Sequence, residues 1–146
     1  MSPTTTMSAA ISRAGYRRTE QRRLLIELIA ARTGHFTAAD LAADARERLL
    51  DLGRATIFRT LEVLLQLGVV ERIDLPGGGH AYVGCAPRHH HHAVCSGCAS
   101  VVEFDDRELA TVVADVAQRT GFRIDTHRLE LFGLCPACQG TRGPIA

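Results

Sequence analysis

The sequence predicts a mixed α/β (α+β) protein of two small domains, and three observations support this fold class. Apolar residues recur at helical spacing in three segments of the first half. Two short β-rich runs, joined by a glycine-rich turn, follow those segments. The second half mixes β-rich runs with one helical pattern and holds all five cysteines. The domains are predicted at residues 1–83 and 84–146, with flexible ends at 1–14 and 139–146.

The first two helices of the N-terminal domain are predicted from the residues that begin them. Thr19 can cap a helix in which apolar residues follow helical spacing from Leu24 to Ile29. After a break, Thr37 and Asp40 form a capping-box pattern that opens a second helix.

A third helix and a hairpin complete this domain. The helix is predicted at about residues 55–67, and Gly68 is placed to end it. Strands are predicted at residues 69–73 and 81–83, with a turn at 76–79. Three helices followed by a hairpin form a winged helix-turn-helix domain, in which the third helix enters the major groove of DNA and the hairpin lies on the backbone.

Polar residues of the third helix lie opposite its apolar side, as DNA binding requires. Arginine can pair with guanine or phosphate, and threonine can bond phosphate or touch a thymine methyl group. A basic patch that can meet phosphates comprises Arg13, Arg17, Arg18, Arg22 and Arg23. The residues that these patterns predict to contact DNA are Arg17, Arg18, Arg54, Thr56, Arg59 and Thr60. A solvated polar face is the alternative, which the helix pattern alone would favour.

The second domain is predicted as a small α/β unit. A strand at residues 100–104 leads into a helix, for which Asp105 and Glu108 form a capping arrangement. The helix residues predicted to face inward are Leu109, Val112, Val113 and Val116. Further strands are predicted at residues 122–125 and 128–132. Exposed strand edges in so small a unit favour pairing with a second chain, so we expect a homodimer.

Two Cys-x-x-Cys pairs predict a structural metal. The pairs, Cys95 with Cys98 and Cys135 with Cys138, lie about forty residues apart. Each pair can present two thiolates to one tetrahedral ion, and both together complete a closed four-thiolate shell. Disulfides or a redox couple are the alternatives. A closed shell leaves no open position for chemistry, so the prediction is one structural zinc that stabilises the fold.

Four consecutive histidines precede the first cysteine pair. Side chains of an extended segment alternate between faces, so His89 and His91 would point one way and His90 and His92 the other. Each pair is half of a possible metal site. Cys85, outside the four-cysteine set, is a candidate ligand beside one of these pairs. The alternatives are a solvated polar loop for the histidines and a small buried hydrophobe for Cys85.

Composition and motifs favour a cytoplasmic binding protein over an enzyme. The sequence shows no signal-peptide core and no membrane span, and clustered free thiols indicate a reducing compartment. A zinc deaminase would need a His-x-Glu motif and an open coordination position, and the sequence has no His-x-Glu. A zinc-storage module would not need arginines on an exposed helix. We expect no catalysis, no membrane and no small-molecule substrate.

Five motifs occur together between about residues 16 and 139. They are Arg18-Thr19-Glu20-Gln21-Arg22, His35-Phe36-Thr37-Ala38-Ala39-Asp40-Leu41, Ala55-Thr56-Ile57-Phe58-Arg59-Thr60-Leu61, the histidine run leading into Cys95-x-x-Cys98, and His127-Arg128-Leu129-Glu130-Leu131-Phe132-Gly133-Leu134-Cys135-x-x-Cys138. In these motifs the chain resembles the ferric uptake regulator family of metal-sensing repressors. The resemblance implies a dimeric, metal-activated repressor that binds palindromic operators in double-stranded DNA.

Cys85, ahead of the histidines, resembles the zinc-uptake branch of that family. The resemblance implies a zinc-responsive repressor of metal-uptake genes, with one structural and one or two regulatory Zn²⁺ ions per chain. The regulatory ligands that it implies are Glu71, Cys85, His90 and His92. A thiolate in this set favours zinc over iron or manganese. An iron-, manganese- or peroxide-responsive regulator is the alternative within the family.

The resemblance also implies an auxiliary metal site on the other histidine face. Its histidines are His89, His91 and His127. The family's acidic ligand falls on Ala110 here, and Glu108, nearby on the same helix, is the expected substitute. Helix capping is the alternative role for Glu108.

Other positions leave alternatives open. Asp74 and Glu103 compete with Glu71 as the acid of the regulatory set. His35 matches a ligand position of iron- and peroxide-sensing relatives, or else packs between the domains. Phe58 stands where the family usually has tyrosine, and its ring can pack against a thymine methyl group without the hydroxyl bond, so it joins the predicted DNA contacts.

Overall fold

A computed structural model of the chain describes residues 2–85 and 89–140. The chain divides into two compact units, Met1–Arg88 and His89–Ala146. The boundary expected from the sequence, between residues 83 and 84, lies five positions before the observed boundary between residues 88 and 89. Most of the predicted flexible tail, residues 141–146, lies outside the described residues. No helix in the described part of the chain is long and apolar enough to cross a membrane.

The first unit contains the predicted three helices and hairpin, preceded by a further helix. Its elements are α1 (Pro3–Arg13), α2 (Glu20–Ala30), α3 (Ala38–Glu47), α4 (Arg54–Gln66), β1 (Val70–Asp74) and β2 (His80–Gly84). The strands pair antiparallel. Phe36 extends the hairpin through a β-bridge to Tyr82, with N–H to O distances of 2.9 and 2.7 Å. Its ring is buried in the core, which anchors the hairpin to the helices.

The expectation that residues 1–14 are flexible is wrong, because most of them form α1. The side chain of Ser2 accepts a hydrogen bond from the Thr5 N–H at 3.3 Å and caps the helix. Met7 and Ile11, one turn apart, are buried in the core of the unit. The stripe is too narrow to stand out among the polar residues of this segment.

Local signals elsewhere in this unit are confirmed. The Thr19 hydroxyl accepts from the Arg22 N–H at 3.2 Å and begins α2. Thr37 and Asp40 form the predicted capping box, with reciprocal hydrogen bonds of 3.1 and 2.7 Å. Gly68 follows α4 with φ of 66°, a backbone conformation that suits glycine.

The second unit is a three-stranded sheet with one long helix. Its elements are β3 (His91–Cys95), β4 (Val101–Phe104), α5 (Arg107–Thr120), β5 (Glu130–Gly133) and α6 (Pro136–Gln139). The strand order is β4-β3-β5, so β3 is central, antiparallel to β4 and parallel to β5. The histidines and the first cysteine pair therefore lie on or beside the middle strand.

Two predictions for this unit are wrong. Residues 122–125 form no strand in the described chain, where β5 ends the sheet and Phe122 is 74% exposed. The helix begins at Arg107 after Asp106, and the Asp105 carboxylate accepts from the Arg107 N–H instead of pairing with Glu108. The predicted inward side of α5 contains no buried residue among those described.

Candidate metal centres and DNA-binding surface

The four cysteines of the two Cys-x-x-Cys pairs converge in the second unit. All four Sγ atoms lie within 4.8 Å of one another, and those of Cys98 and Cys135 are 3.7 Å apart. Zinc–sulfur bonds of about 2.3 Å in a tetrahedron place the sulfurs about 3.8 Å apart. None of the five cysteines forms a disulfide, so the disulfide alternative has no support. The donor chemistry and spacing of this four-cysteine site fit a structural zinc.

Backbone groups prepare this site for thiolates. Cys95 Sγ accepts from the N–H groups of Cys135 and Gly97, each at 3.3 Å. These donors, led by that of Cys135, lower the pKa of Cys95 to about 6. The pKa of Cys98 is lowered by its hydrogen bond with Ser100. Contacts with the other three thiols, Cys135 first, raise the pKa of Cys138 to about 12, so its thiolate requires a nearby cation.

Gly97, which the sequence analysis did not single out, contributes to the four-cysteine site through its lack of a side chain. A Cβ atom at this position would lie 3.0 Å from Cys138 Sγ. The signal in the sequence was its place inside the knuckle, where the chain must fold closely around the sulfurs. The knuckle therefore tolerates glycine best at this position.

The histidine run is not a solvated loop. His90, His91 and His92 are only 7%, 2% and 2% exposed. The rings pair by alternate position, with centroids 4.9 Å apart for His89 and His91 and 4.8 Å apart for His90 and His92. The extended backbone thus sends the two pairs into different donor groups, as the alternation predicted.

One donor group, here named the auxiliary cluster, consists of His89, His91, Asp106 and His127. The Nε2 atom of His127 lies 2.9 Å from that of His89 and 3.3 Å from that of His91. Asp106 Oδ2 lies 3.6 Å from His89 Nε2 and 3.5 Å from His127 Nε2. Burial, then the neighbouring histidines, lower the pKa of His91, which favours the neutral imidazole that binds metals.

The carboxylate of the auxiliary cluster belongs to Asp106 and not to the expected Glu108. Because α5 begins at Arg107, Asp106 is the residue just before the helix. Glu108 is exposed two residues later and is absent from this donor group. Sequence reasoning missed Asp106 because it sought the substitute near Ala110 on the helix, whereas the acid in this donor group is the residue just before the helix.

The four predicted regulatory ligands are divided between the units. In the first unit, a Glu71 carboxylate oxygen and Cys85 Sγ lie within 4.8 Å of each other. In the second unit, donor atoms of His90, His92 and Glu103 lie within 4.8 Å of one another. Residues His92 and Glu103 are partners in the β3–β4 register, which explains why Glu103 joins this group.

The remaining alternatives occupy different surroundings. The Asp74 carboxylate is hydrogen-bonded to His80 Nδ1 at 2.8 Å and lies 3.5 Å from Arg72, near the tip of the hairpin. The Nδ1 atom of His35 is buried and has no hydrogen-bond partner among the described residues. Of the three candidate acids, Glu71 and Glu103 lie in donor groups and Asp74 does not.

The outward side of α4 presents part of the predicted DNA-contact set. Arg54, Phe58 and Arg59 are exposed, and Thr56 is partly buried. Phe58 is 47% exposed, which is high for a phenylalanine. The prediction for Thr60 is wrong, because this residue is 2% exposed and the helical period turns it toward the core.

The basic patch near α2 is smaller than its sequence suggests. Arg23 pairs with Glu20 and Glu27, so its charge is largely compensated. Arg22 donates to the Arg17 carbonyl, and its guanidinium carbon lies 6.0 Å from the centre of the Tyr16 ring. Its side chain is therefore engaged within the protein. Arg17 and Arg18 remain exposed for phosphate contacts.

Comparison with known proteins identifies the family to which this architecture belongs. The model of the ferric uptake regulator family matches residues 13–132. The chain belongs to the ferric uptake regulator family. It is 34% identical to the zinc uptake regulation protein of Mycobacterium tuberculosis over 129 residues, which cover 88% of this chain and 99% of the relative. It is 33% identical to the ferric uptake regulation protein of Bacillus subtilis over 131 residues, 87% of this chain and 88% of that one.

Solved structures agree with this assignment. A zinc uptake regulator complexed with zinc and DNA superposes with a TM-score of 0.74 at 25% identity, covering 97% of each chain. A zinc-bound manganese uptake regulator superposes with a TM-score of 0.66 at 27% identity, covering 89% of this chain and 98% of the other. The first unit is thus a winged helix domain and the second is the family's dimerisation domain.

Family membership establishes the general function. Members are metal-responsive, DNA-binding transcriptional regulators and not enzymes. The protein is therefore a regulator that binds DNA and metal ions. Which metal it senses depends on the ligands that this chain provides.

Proposed function

We propose that this regulator is a zinc-responsive repressor of metal-uptake genes. The observation that carries the proposal is the thiol of Cys85 beside the carboxylate of Glu71. A thiolate favours zinc over iron(II) or manganese(II), which prefer nitrogen and oxygen donors. The similarity to a zinc uptake regulation protein and to a zinc uptake regulator bound to DNA supports it. Ferric and manganese regulators are also similar, so the ligand chemistry is the stronger argument.

In this proposal the two kinds of metal site have separate roles. The four-cysteine site holds its zinc permanently and stabilises the second unit. The ligands proposed for the reversible zinc are Glu71, Cys85, His90 and His92. Zinc supplies a cation that these donors share. Zinc binding at these donors is proposed to favour the state of the regulator that binds DNA.

The repressor is proposed to act as a cytoplasmic homodimer on a palindromic operator. Large apolar side chains of the second unit are exposed, including Val102, Val112 and Phe122 at 62%, 55% and 74%. Large apolar side chains left exposed in this way are typical of a subunit interface. A twofold dimer presents two α4 helices to two half-sites, and only one spacing of the helices fits the operator.

An iron- or manganese-responsive regulator is the second candidate, and one observation favours it. His90 and His92 lie in a donor group with Glu103, whose Oε1 is 3.9 Å from His90 Nε2. Two imidazoles and a carboxylate, without a thiolate, suit iron(II) or manganese(II).

The two candidates are separated by operator binding measured against buffered free zinc, iron(II) and manganese(II), with metal content determined on the same samples. The proposal expects activation by zinc at far lower free concentration than by the other metals, and little change in the zinc response of Glu103→Gln. Zinc binds more tightly than iron(II) or manganese(II) at most sites, so metal preference alone does not separate the two candidates. The Glu103→Gln variant decides between them. A Glu103→Gln protein that loses its metal response would favour the second candidate and contradict the first.

A further inference from the structure

The auxiliary cluster has the dimensions of a metal site. Its nitrogen–nitrogen distances are 2.9 and 3.3 Å, and its nitrogen–oxygen distances are 3.5 and 3.6 Å. Zinc bonds of about 2.0–2.2 Å to nitrogen and oxygen place tetrahedral neighbours about 3.3–3.6 Å apart. The four donor atoms therefore surround a space that one tetrahedral ion would fill.

Hydrogen bonds among the histidines do not account for this convergence. A ring nitrogen carries either one proton or one lone pair, so it makes one good hydrogen bond. His127 Nε2 nevertheless lies close to the Nε2 atoms of both His89 and His91. All three rings direct the same nitrogen toward one point, which is the arrangement that a shared cation produces.

Asp106 is placed at the helix start but does not cap it. Residues in the N-cap position commonly accept a hydrogen bond from the first turn of the helix. Asp106 occupies that position in α5 and makes no side-chain capping hydrogen bond. Its Oδ2 atom instead lies near His89 and His127. The carboxylate thus belongs to the histidine group and not to the helix.

We propose that Asp106 is the fourth ligand of a three-histidine, one-aspartate site for a first-row divalent cation, with zinc preferred. Its donors come from β3 and the segment just before it, from the residue before α5 and from the segment before β5. The aspartate takes the place of the acid that is missing at Ala110, from one turn earlier in the chain. Glu108 then has no part in metal binding.

The position of this site gives it a structural consequence. His91 is the first residue of β3 and lies between His90, which precedes the strand, and His92, so an ion held by His91 fixes the backbone that carries the two proposed regulatory histidines. All four ligands belong to the second unit. The inference uses only the metal-binding character of the family and does not depend on the regulatory role proposed for Cys85.

The test compares Asp106→Asn with Glu108→Gln in the full-length protein. Each variant removes one carboxylate, the two positions are two residues apart, and asparagine is as good an N-cap residue as aspartate. Both are made in a Cys85→Ser background, which weakens the proposed regulatory site. The protein with its four-cysteine zinc in place is titrated with zinc against a chelator, and zinc per chain and thermal unfolding are measured.

We expect Asp106→Asn to lower the zinc affinity of the auxiliary cluster by about 10-fold or more. The variant should also lose the thermal stabilisation that zinc at this cluster gives. Glu108→Gln should retain both, and His127→Ala should match Asp106→Asn. Equal unfolding temperatures of the variants and the parent protein, each holding only the four-cysteine zinc, show that the fold is intact. Wild-type zinc affinity in Asp106→Asn, or an equal loss in Glu108→Gln, overturns the assignment. A different result would overturn the regulatory role proposed for Cys85, namely operator binding by Cys85→Ser that responds to zinc as the wild type does.

Discussion

The two units of this regulator bury different kinds of residue. The first unit has an aliphatic core to which all four helices contribute, including Ile11, Leu25, Leu41 and Leu64. In the second unit the buried residues among those described are His90, His91, His92, Val94 and Cys95. The first unit is therefore stabilised by its own hydrophobic core. The second unit lacks a comparable core, so its stability depends on metal ligation and on a partner subunit that covers its exposed apolar side chains.

This contrast predicts that the two units respond differently to metal removal. Loss of zinc should unfold the second unit and leave the first folded. Loss of core packing should destabilise the first unit without changing the zinc content. Four substitutions test the contrast and are given in order of decreasing effect.

Cys135→Ser should have the largest effect. It opens the four-cysteine site, whose zinc supplies folding free energy of roughly 10 kcal/mol in small zinc domains. We expect loss of the structural zinc, loss of the dimer and unfolding of the second unit, with the helical signal of the first unit retained. Metal analysis, ultracentrifugation and circular dichroism measure these changes. An unchanged melting temperature and dimer state would refute the structural role.

Leu64→Ala should destabilise the first unit by about 2–5 kcal/mol, as is usual for a fully buried leucine. The side chain is 0% exposed in the core of the unit. Denaturant unfolding gives the free energy, and metal analysis should still find the structural zinc. If the variant lost that zinc as well, the two units would not be stabilised independently.

Gly97→Ala should weaken the structural zinc by about tenfold, because the new methyl group would lie 3.0 Å from Cys138 Sγ and 3.2 Å from its Cβ. Gly133→Ala is the matched control, since a Cβ there meets no atom within 4 Å. Competition with a zinc chelator measures both variants. Equal zinc affinities would show that the knuckle is less closely packed than the distances indicate.

Thr37→Ala should have the smallest effect, about 1 kcal/mol, through loss of the cap on α3. Zinc content and zinc-dependent stability should not change, because the cap lies in the first unit. Thermal unfolding with and without a chelator measures both quantities. A change in the chelator-sensitive part would contradict the separation of the units.

Sequence reasoning succeeded where a short pattern determines the structure. The caps at Thr19 and Thr37 depend on residues three positions apart, and Gly68 depends on one backbone angle. The convergence of the four cysteines also followed from spacing, because each knuckle has only one way to present two sulfurs.

It failed where the outcome depends on tertiary packing. The helix α1 forms because Met7 and Ile11 find a core to pack against, and Thr60 is buried by the same core. Residues 122–125 lack a neighbouring strand in the described chain, so β propensity alone does not make them one. Nearness to Ala110 in the sequence indicated Glu108 for the auxiliary cluster, whereas the packing of the segment before α5 brings Asp106 to the histidines.

The zinc response of this regulator is proposed to depend on Cys85. The measurement that decides this is the free zinc concentration that gives half-maximal operator binding, determined for wild type and Cys85→Ser together with zinc content. We expect the variant to keep its four-cysteine zinc and to remain a dimer. It should need at least about tenfold more free zinc to bind the operator. A variant that binds the operator at the wild-type zinc concentration would show that Cys85 is not a ligand of the sensing site.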